Sequence, residues 1–202
     1  MYYVVYDNFL RADEFGRLKG CLGPDGEFPW KLGSRINNND QRNDDMYFAT
    51  NIYHAYSGWA NHFGQHILEA IDAVSTKLHI EALFRIKANM YFPSRTGKVV
   101  HHAPHIDADF YHQGALFFLT TCDAPTTMAD GTPIESIENR LLLFDPVTNH
   151  SSSSPTNAPF RQTINFNYFG AGINKNYKDR MVNPIPILSK NAEKLDEFWV
   201  KS

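Results

Sequence analysis

Apolar and polar positions change period along this chain, and the change divides it into two parts. Residues 2–6 (YYVVY) form a short apolar run that predicts a strand. Residues 12–22 read as a short helix stopped at Gly23. From 24 to 45, Gly, Asn and Asp dominate, which predicts loop around one short strand at FPWKL. MYFATNIY, 46–53, predicts another strand. The longest periodic stretch is 58–78. There Trp59, Phe63, Ile67, Ile71, Val74 and Leu78 recur every three or four residues, so a helix would present one apolar stripe, with Ser57 as its N-cap.

Beyond that helix the period becomes two. In RIKANMYF, Arg85, Lys87, Asn89 and Tyr91 alternate with Ile86, Ala88, Met90 and Phe92, giving a strand with one polar and one apolar face. Further strands are expected at 98–107, 113–121, 131–136, 139–145 and 160–169, separated by the turn sequences PSRTG, DAP, ADG and DPVTN. Short strands at this spacing predict a sandwich or barrel, mainly β, with the flanking helix packed outside one sheet. We expect one domain over 1–202: a helical and irregular flank (1–80), a β core (81–170) and a C-terminal extension (171–202).

Composition narrows the function classes. An aromatic share of 14% suits half-buried sheet surface. The net charge is -3 and Lys and Arg do not cluster, so no nucleic-acid partner is expected. MYYVVYDNFL lacks the basic start and unbroken apolar stretch of a signal peptide, and no apolar run reaches membrane-spanning length. Cys21 and Cys122, far apart, offer neither a disulfide framework nor a cysteine zinc site. A soluble protein of the cytoplasm is expected.

The chemistry concentrates in the second half. In a strand, His105 and Asp107 of His105-Ile106-Asp107 would point the same way, with Ile106 on the opposite face. His150, after the apolar strand LLLF and the turn DPVTN, is the candidate third ligand. Two imidazoles and one carboxylate on one face, with other positions open, are the ligand set of non-haem Fe(II) oxygenases. Arg161 opens RQTINFNYF, where Arg161, Thr163, Asn165 and Asn167 share a face. Its planar fork suits a carboxylate, and the Thr163 hydroxyl could join it. Each piece alone is weak; their order, strand by strand, is what chance rarely assembles.

At these residues the chain resembles the 2-oxoglutarate/Fe(II)-dependent dioxygenases, in the prolyl 4-hydroxylase-like branch and its small marine bacteriophage members. The matching stretches are YDNFL, FPW, RIKANMYF, HIDADFYHQGALFFL, DGTPIESIENRLLLFD, and His150 with the following RQTINFNYF. The resemblance implies a double-stranded β-helix, or jelly-roll, with helices on one side. It implies Fe(II) held by His105, Asp107 and His150, 2-oxoglutarate anchored by Arg161, and Tyr91 facing the co-substrate. O2 and ascorbate complete the implied cofactors. The implied reaction hydroxylates a C–H bond of a peptidyl, prolyl or small-molecule substrate while 2-oxoglutarate becomes succinate and CO2. A location in the host cytoplasm would follow for a phage protein. Where some relatives carry a co-substrate Tyr after His-x-Asp, this chain has ALFFL, with Phe117 and Phe118, so Thr163 or Tyr91 would supply the second hydroxyl.

Plainer readings stand beside these. His101, His102 and His112 read as loop or supporting residues, because Pro104 spoils a helical zinc pair. His62 and His66 lie off the apolar stripe on a solvated helix face, and Asp109 reads as a rim residue. Arg161 could neutralise a surface acid, and Tyr91 could be core. Phe28 and Trp30 read as pins for their loop, and Ser151 to Ser154 as a hydrogen-bonding turn. The rival functions are a cupin-like metal enzyme that does not use 2-oxoglutarate and a non-catalytic jelly-roll binding or virion module; neither gives Arg161 a task.

Overall fold

A computed structural model describes residues 3–33, 46–60, 63–170 and 187–188. In chain order its elements are β1 (Tyr3–Tyr6), α1 (Ala12–Leu22), β2 (Lys31–Leu32), β3 (Tyr47–His54), β4 (Gly58–Trp59), α2 (Gln65–Lys77), β5 (Ile80–Tyr91), β6 (Val100–His101), β7 (Gln113–Phe118), β8 (Cys122–Met128), β9 (Pro133–Ser136), β10 (Arg140–Phe144), β11 (His150–Ser151), β12 (Ser153–Ser154), β13 (Arg161–Gly170) and β14 (Ile187–Leu188). The large sheet runs β14-β1-β10-β7-β13-β5-β3-β2, with β4 on β3; a smaller sheet runs β11-β8-β9, and β12 pairs β6. The described pairings are antiparallel.

Alternation along the central strands assigns the two faces of the large sheet. Ile86 and Ala88 of β5, Ala115 and Phe117 of β7, Leu141 and Leu143 of β10, and Ile164 and Phe166 of β13 share one core with Leu18 and Leu22 of α1 and Ile67, Ile71 and Val74 of α2. The intervening positions Leu116, Phe118, Leu142 and Phe144 form a second core with Met128 of β8 and Ile134 of β9. The helices therefore cover one face and the small sheet covers the other, as period-two strands buried on both sides require. Lys77, buried at the end of α2, pairs with Glu14 of α1 and ties the two helices together.

On the face toward the small sheet, register aligns polar residues in rows. Arg161 sits opposite Tyr91, Thr163 opposite Asn89, Asn165 opposite Lys87 and Asn167 opposite Arg85. These are the polar faces expected of 85–92 and 160–169, now turned toward each other's neighbourhood.

Several expected elements differ. The helix over 58–78 begins only at Gln65, after an N-cap at Gly64 rather than Ser57. Trp59 instead pairs with Tyr53 in a hairpin turned through Gly58, whose φ of 71° favours glycine. An aromatic at helical spacing imitated the stripe. The strand over 98–107 shrinks to Val100–His101. DAP lies inside β8 rather than in a turn, and Ser151 to Ser154 contribute to the short strands β11 and β12. His62 and most of the C-terminal extension lie outside the described residues. Among the described residues no helix is long and apolar enough to cross a membrane.

Candidate metal centre

His105 and His150 meet through their backbones. Each donates its N–H to the other's carbonyl at 3.0 Å, an isolated bridge outside the named strands except for His150 in β11. The Asp107 N–H donates to the Pro146 carbonyl at 2.9 Å. The segment 105–107 thus lies against 146–150, and the i, i+2 arrangement arises by docking on the turn DPVTN rather than by a regular strand. One ligand atom from each of His105, Asp107 and His150 lies within 4.8 Å of the others. Ile106 faces outward, 41% exposed.

Both imidazoles are oriented by the carbonyl two residues before them. His150 Nδ1 donates to Thr148 O at 3.0 Å, and the His105 ring is hydrogen-bonded to the Ala103 backbone. That leaves one nitrogen of each ring for a metal, the tether that metal-binding His residues ordinarily require. Burial, then the neighbouring His150, pushes His105 down to about 4, so it stays in the neutral form that ligates.

The carboxylate is held more heavily. Arg85 Nη2 donates to Asp107 Oδ1 at 2.8 Å, Asn167 Nδ2 to Oδ2 at 2.9 Å, and Asn165 Nδ2 reaches both oxygens at 3.2 and 3.0 Å. Burial would raise this carboxyl, but His150, Arg85 and the two amides outweigh it and hold it well below the usual carboxylate range. Arg85, Asn165 and Asn167 were visible in the sequence as polar strand faces. Their common target was not, because it sits in a loop far from them in the chain.

Arg161 lies on the same sheet face, four residues before Asn165 and therefore roughly 13 Å along the strand. It is fully buried. Nε donates to Ser136 Oγ at 2.8 Å and Nη2 to Thr126 Oγ1 at 2.7 Å, while the rings of Tyr91 and Phe118 cover it at 5.5 and 5.7 Å. Among the described residues no carboxylate pairs with it, and Nη1 is buried with no acceptor. Among the described residues Arg161 neutralises no surface acid. Thr163, the next inward residue, is buried between Asn89 and Phe118 on the flanking strands. Tyr91 is buried and stacks on Tyr47 at 5.1 Å, whose hydroxyl donates to Asn89 Oδ1 at 2.8 Å. Thr126 follows DAP, which the sequence suggests as a turn rather than part of β8; Ser136 lies in the strand expected over 131–136, but nothing local sets it beside Arg161.

The other candidates take other places. His102 is buried beneath Tyr91, its ring nitrogens 2.7 Å from Ser152 Oγ and 3.1 Å from Ser154 Oγ. His112 Nδ1 donates to Phe110 O at 2.8 Å. His101 and Asp109 are exposed. His66 is largely exposed near Glu27. Trp30 donates to Leu22 O at 3.2 Å and packs on Phe28, pinning its loop to α1.

No family model matches the chain, and no curated protein does. Solved structures do. A prolyl hydroxylase from Trichoplax adhaerens, in complex with a hypoxia inducible factor oxygen degradation domain peptide fragment, superposes with a TM-score of 0.57 at 17% identity, covering 83% of each chain. A Pseudomonas putida prolyl-4-hydroxylase gives 0.52 at 14% identity, covering 83% of this chain and 92% of its own. A non-haem α-ketoglutarate-dependent epimerase of nogalamycin biosynthesis gives 0.53 at 14% identity, covering 84% and 76%. At these identities the likeness is one of fold. Since hydroxylases and an epimerase share it, the fold does not select the reaction outcome.

Proposed function

We propose that this chain is an Fe(II)- and 2-oxoglutarate-dependent dioxygenase, a single-domain double-stranded β-helix that hydroxylates a C–H bond of a peptidyl or small-molecule substrate. One observation carries the reading: Arg161, fully buried, has no anionic partner among the described residues and an Nη1 without an acceptor. A buried, uncompensated guanidinium is costly. A dicarboxylate whose far end accepts from Nη1 relieves that cost, and its near end would then extend along β13 toward the triad. A cupin-like enzyme without 2-oxoglutarate, or a binding module, leaves Arg161 unexplained.

The residues fit the implied groups. His105, Asp107 and His150 would hold Fe(II) through one atom each, with His105 held neutral and Asp107 held ionised. The iron and co-substrate supply the oxidising chemistry when bound. The chain's own work is positional. Thr148 and Ala103 carbonyls fix the rings; Arg85, Asn165 and Asn167 fix the carboxylate. Ser136 and Thr126 aim the guanidinium, and Tyr91 and Phe118 shield it from water, which strengthens its pairing with a carboxylate. Free Cys21 and Cys122 suit a reducing cytoplasm.

The test is anaerobic addition of Fe(II) and 2-oxoglutarate to the metal-free protein, reading the visible charge-transfer band of the chelate. The band forms in the wild type and is lost in His105→Ala. In Arg161→Ala it persists with 2-oxoglutarate affinity lowered about a hundredfold, the cost of truncating one side of a buried charged pair. A band unaltered by His105→Ala would assign the metal elsewhere.

A further inference from the structure

Beside the triad lies a second cation that the reading above does not use. Lys87 is half-buried on β5, on the sheet face that carries Arg85, Asn89 and Tyr91. Among the described residues its ammonium has no hydrogen bond or ion pair; its recorded contact is with the Tyr47 ring, 5.5 Å from the centroid. Asp107 is near enough to act on it electrostatically, but the carboxylate oxygens are already taken by Arg85, Asn165 and Asn167. Directly across the ladder from Lys87 is Asn165. Its Nδ2 is committed to Asp107, so its Oδ1 must point elsewhere, and that oxygen is buried with no donor. Flipping the amide would set its oxygen against the carboxylate, so the orientation is fixed by chemistry.

A cation without an acceptor and an acceptor without a donor thus stand on directly opposed residues of adjacent strands, on one sheet face, where side chains are near neighbours. We propose that Lys87 and Asn165 Oδ1 form a substrate subsite for a small carboxylic acid that carries an N–H or O–H donor close to its carboxylate. This rests on the oxygenase reading and names its substrate class: an amino acid, an N-acylated amino acid or a hydroxy acid. The Asn165 oxygen argues for the substrate over the co-substrate, since 2-oxoglutarate has no donor to offer it. Arg161 is two strand repeats away, so each carboxylate keeps its own cation. Lys87 would be a substrate-binding residue that holds the acid close to the metal.

The experiment follows the 13Cε signal of Lys87, assigned by its loss in Lys87→Met, in protein loaded with Zn(II) as a redox-silent ion and saturated with 2-oxoglutarate. The probes are glycine, N-acetylglycine and lactate, each beside its primary amide, which lacks the carboxylate. The acids shift the signal and the amides do not. Acid affinity falls about tenfold to a hundredfold in Lys87→Met, as for a lost charge-assisted hydrogen bond, and is partly kept in Lys87→Arg. 2-Oxoglutarate affinity stays as in the wild type in both. A signal moved by none of the acids overturns the proposal. So does one moved by 2-oxoglutarate alone, which would make Lys87 a co-substrate residue. The oxygenase reading fails separately, by absence of Zn(II) binding that depends on His105, and the Lys87 response can then still be read in the metal-free protein.

Discussion

Asp107 and Arg161 are opposite charges buried against one sheet face, and the protein treats them differently. The carboxylate receives four hydrogen bonds from Arg85, Asn165 and Asn167. The guanidinium receives two hydroxyls and two aromatic rings, and no countercharge among the described residues. Burial penalises both, so the contrast lies in who compensates. Asp107 is compensated within the fold and is set in place before any ligand arrives. Among the described residues nothing compensates Arg161, and under the proposed function a ligand does so. The proposed roles ask for this difference: a metal ligand needs a fixed direction, and an anchor for a co-substrate needs a vacancy of the right sign.

The strongest way to break this contrast is Asp107→Ala. Arg85 and the two amides would lose their acceptor together, leaving a partly buried cation uncompensated. We expect loss of Mn(II) binding by calorimetry and a fall in the stability of the metal-free protein of about 3 kcal/mol, read by urea unfolding. Full stability in this variant would mean that the three donors are not organised around the carboxylate. Arg161→Leu should behave oppositely. Replacing an unpaired buried charge by an apolar side chain leaves metal-free stability unchanged or raises it by about 1 kcal/mol. Mn(II) affinity is kept and 2-oxoglutarate affinity falls by about a hundredfold or more. If Arg161→Leu unfolds as readily as Asp107→Ala, the guanidinium is structural and the contrast fails.

The same two residues show what was legible in the sequence. The polar face of 160–169 and that of 85–92 follow from period two alone, because alternation is a local property of a strand. Their register, which sets Asn165 beside Lys87 and Arg161 beside Tyr91, is a property of the sheet and could not be read. His105 and Asp107 do converge with His150, not along a strand over 98–107 but because the segment docks on the turn after β10. The hairpin at Trp59 and the strand through DAP were missed because tertiary pairing overrode local signals. With β8 hidden, the Thr126 hydroxyl could not be assigned to Arg161, and the strand expected over 131–136 carries no local sign that Ser136 meets it.

The smallest expected effect also gives the finest probe of the Arg161 end. His102 lies under Tyr91, which in turn covers the guanidinium. Burial first, and the Arg161 cation second, push His102 down to about 3 from an ordinary value near 6.5. The unfolded chain therefore takes up this proton first as pH falls. The contribution of His102 to stability is complete above about 6.5 and is lost as pH drops toward about 3. In Arg161→Leu one cause of the depression is gone, so the His102 ring should titrate at higher pH by NMR. Saturating the wild type with 2-oxoglutarate should move it the same way, because a bound carboxylate offsets the guanidinium charge. His102→Gln should flatten the acid side of the stability curve while costing only about 1 kcal/mol at neutral pH, the scale of its serine hydrogen bonds. A ring that titrates identically in the wild type, in Arg161→Leu and with 2-oxoglutarate present would mean that the guanidinium is already compensated in the free protein, and the vacancy on which its proposed anchoring role rests would not exist.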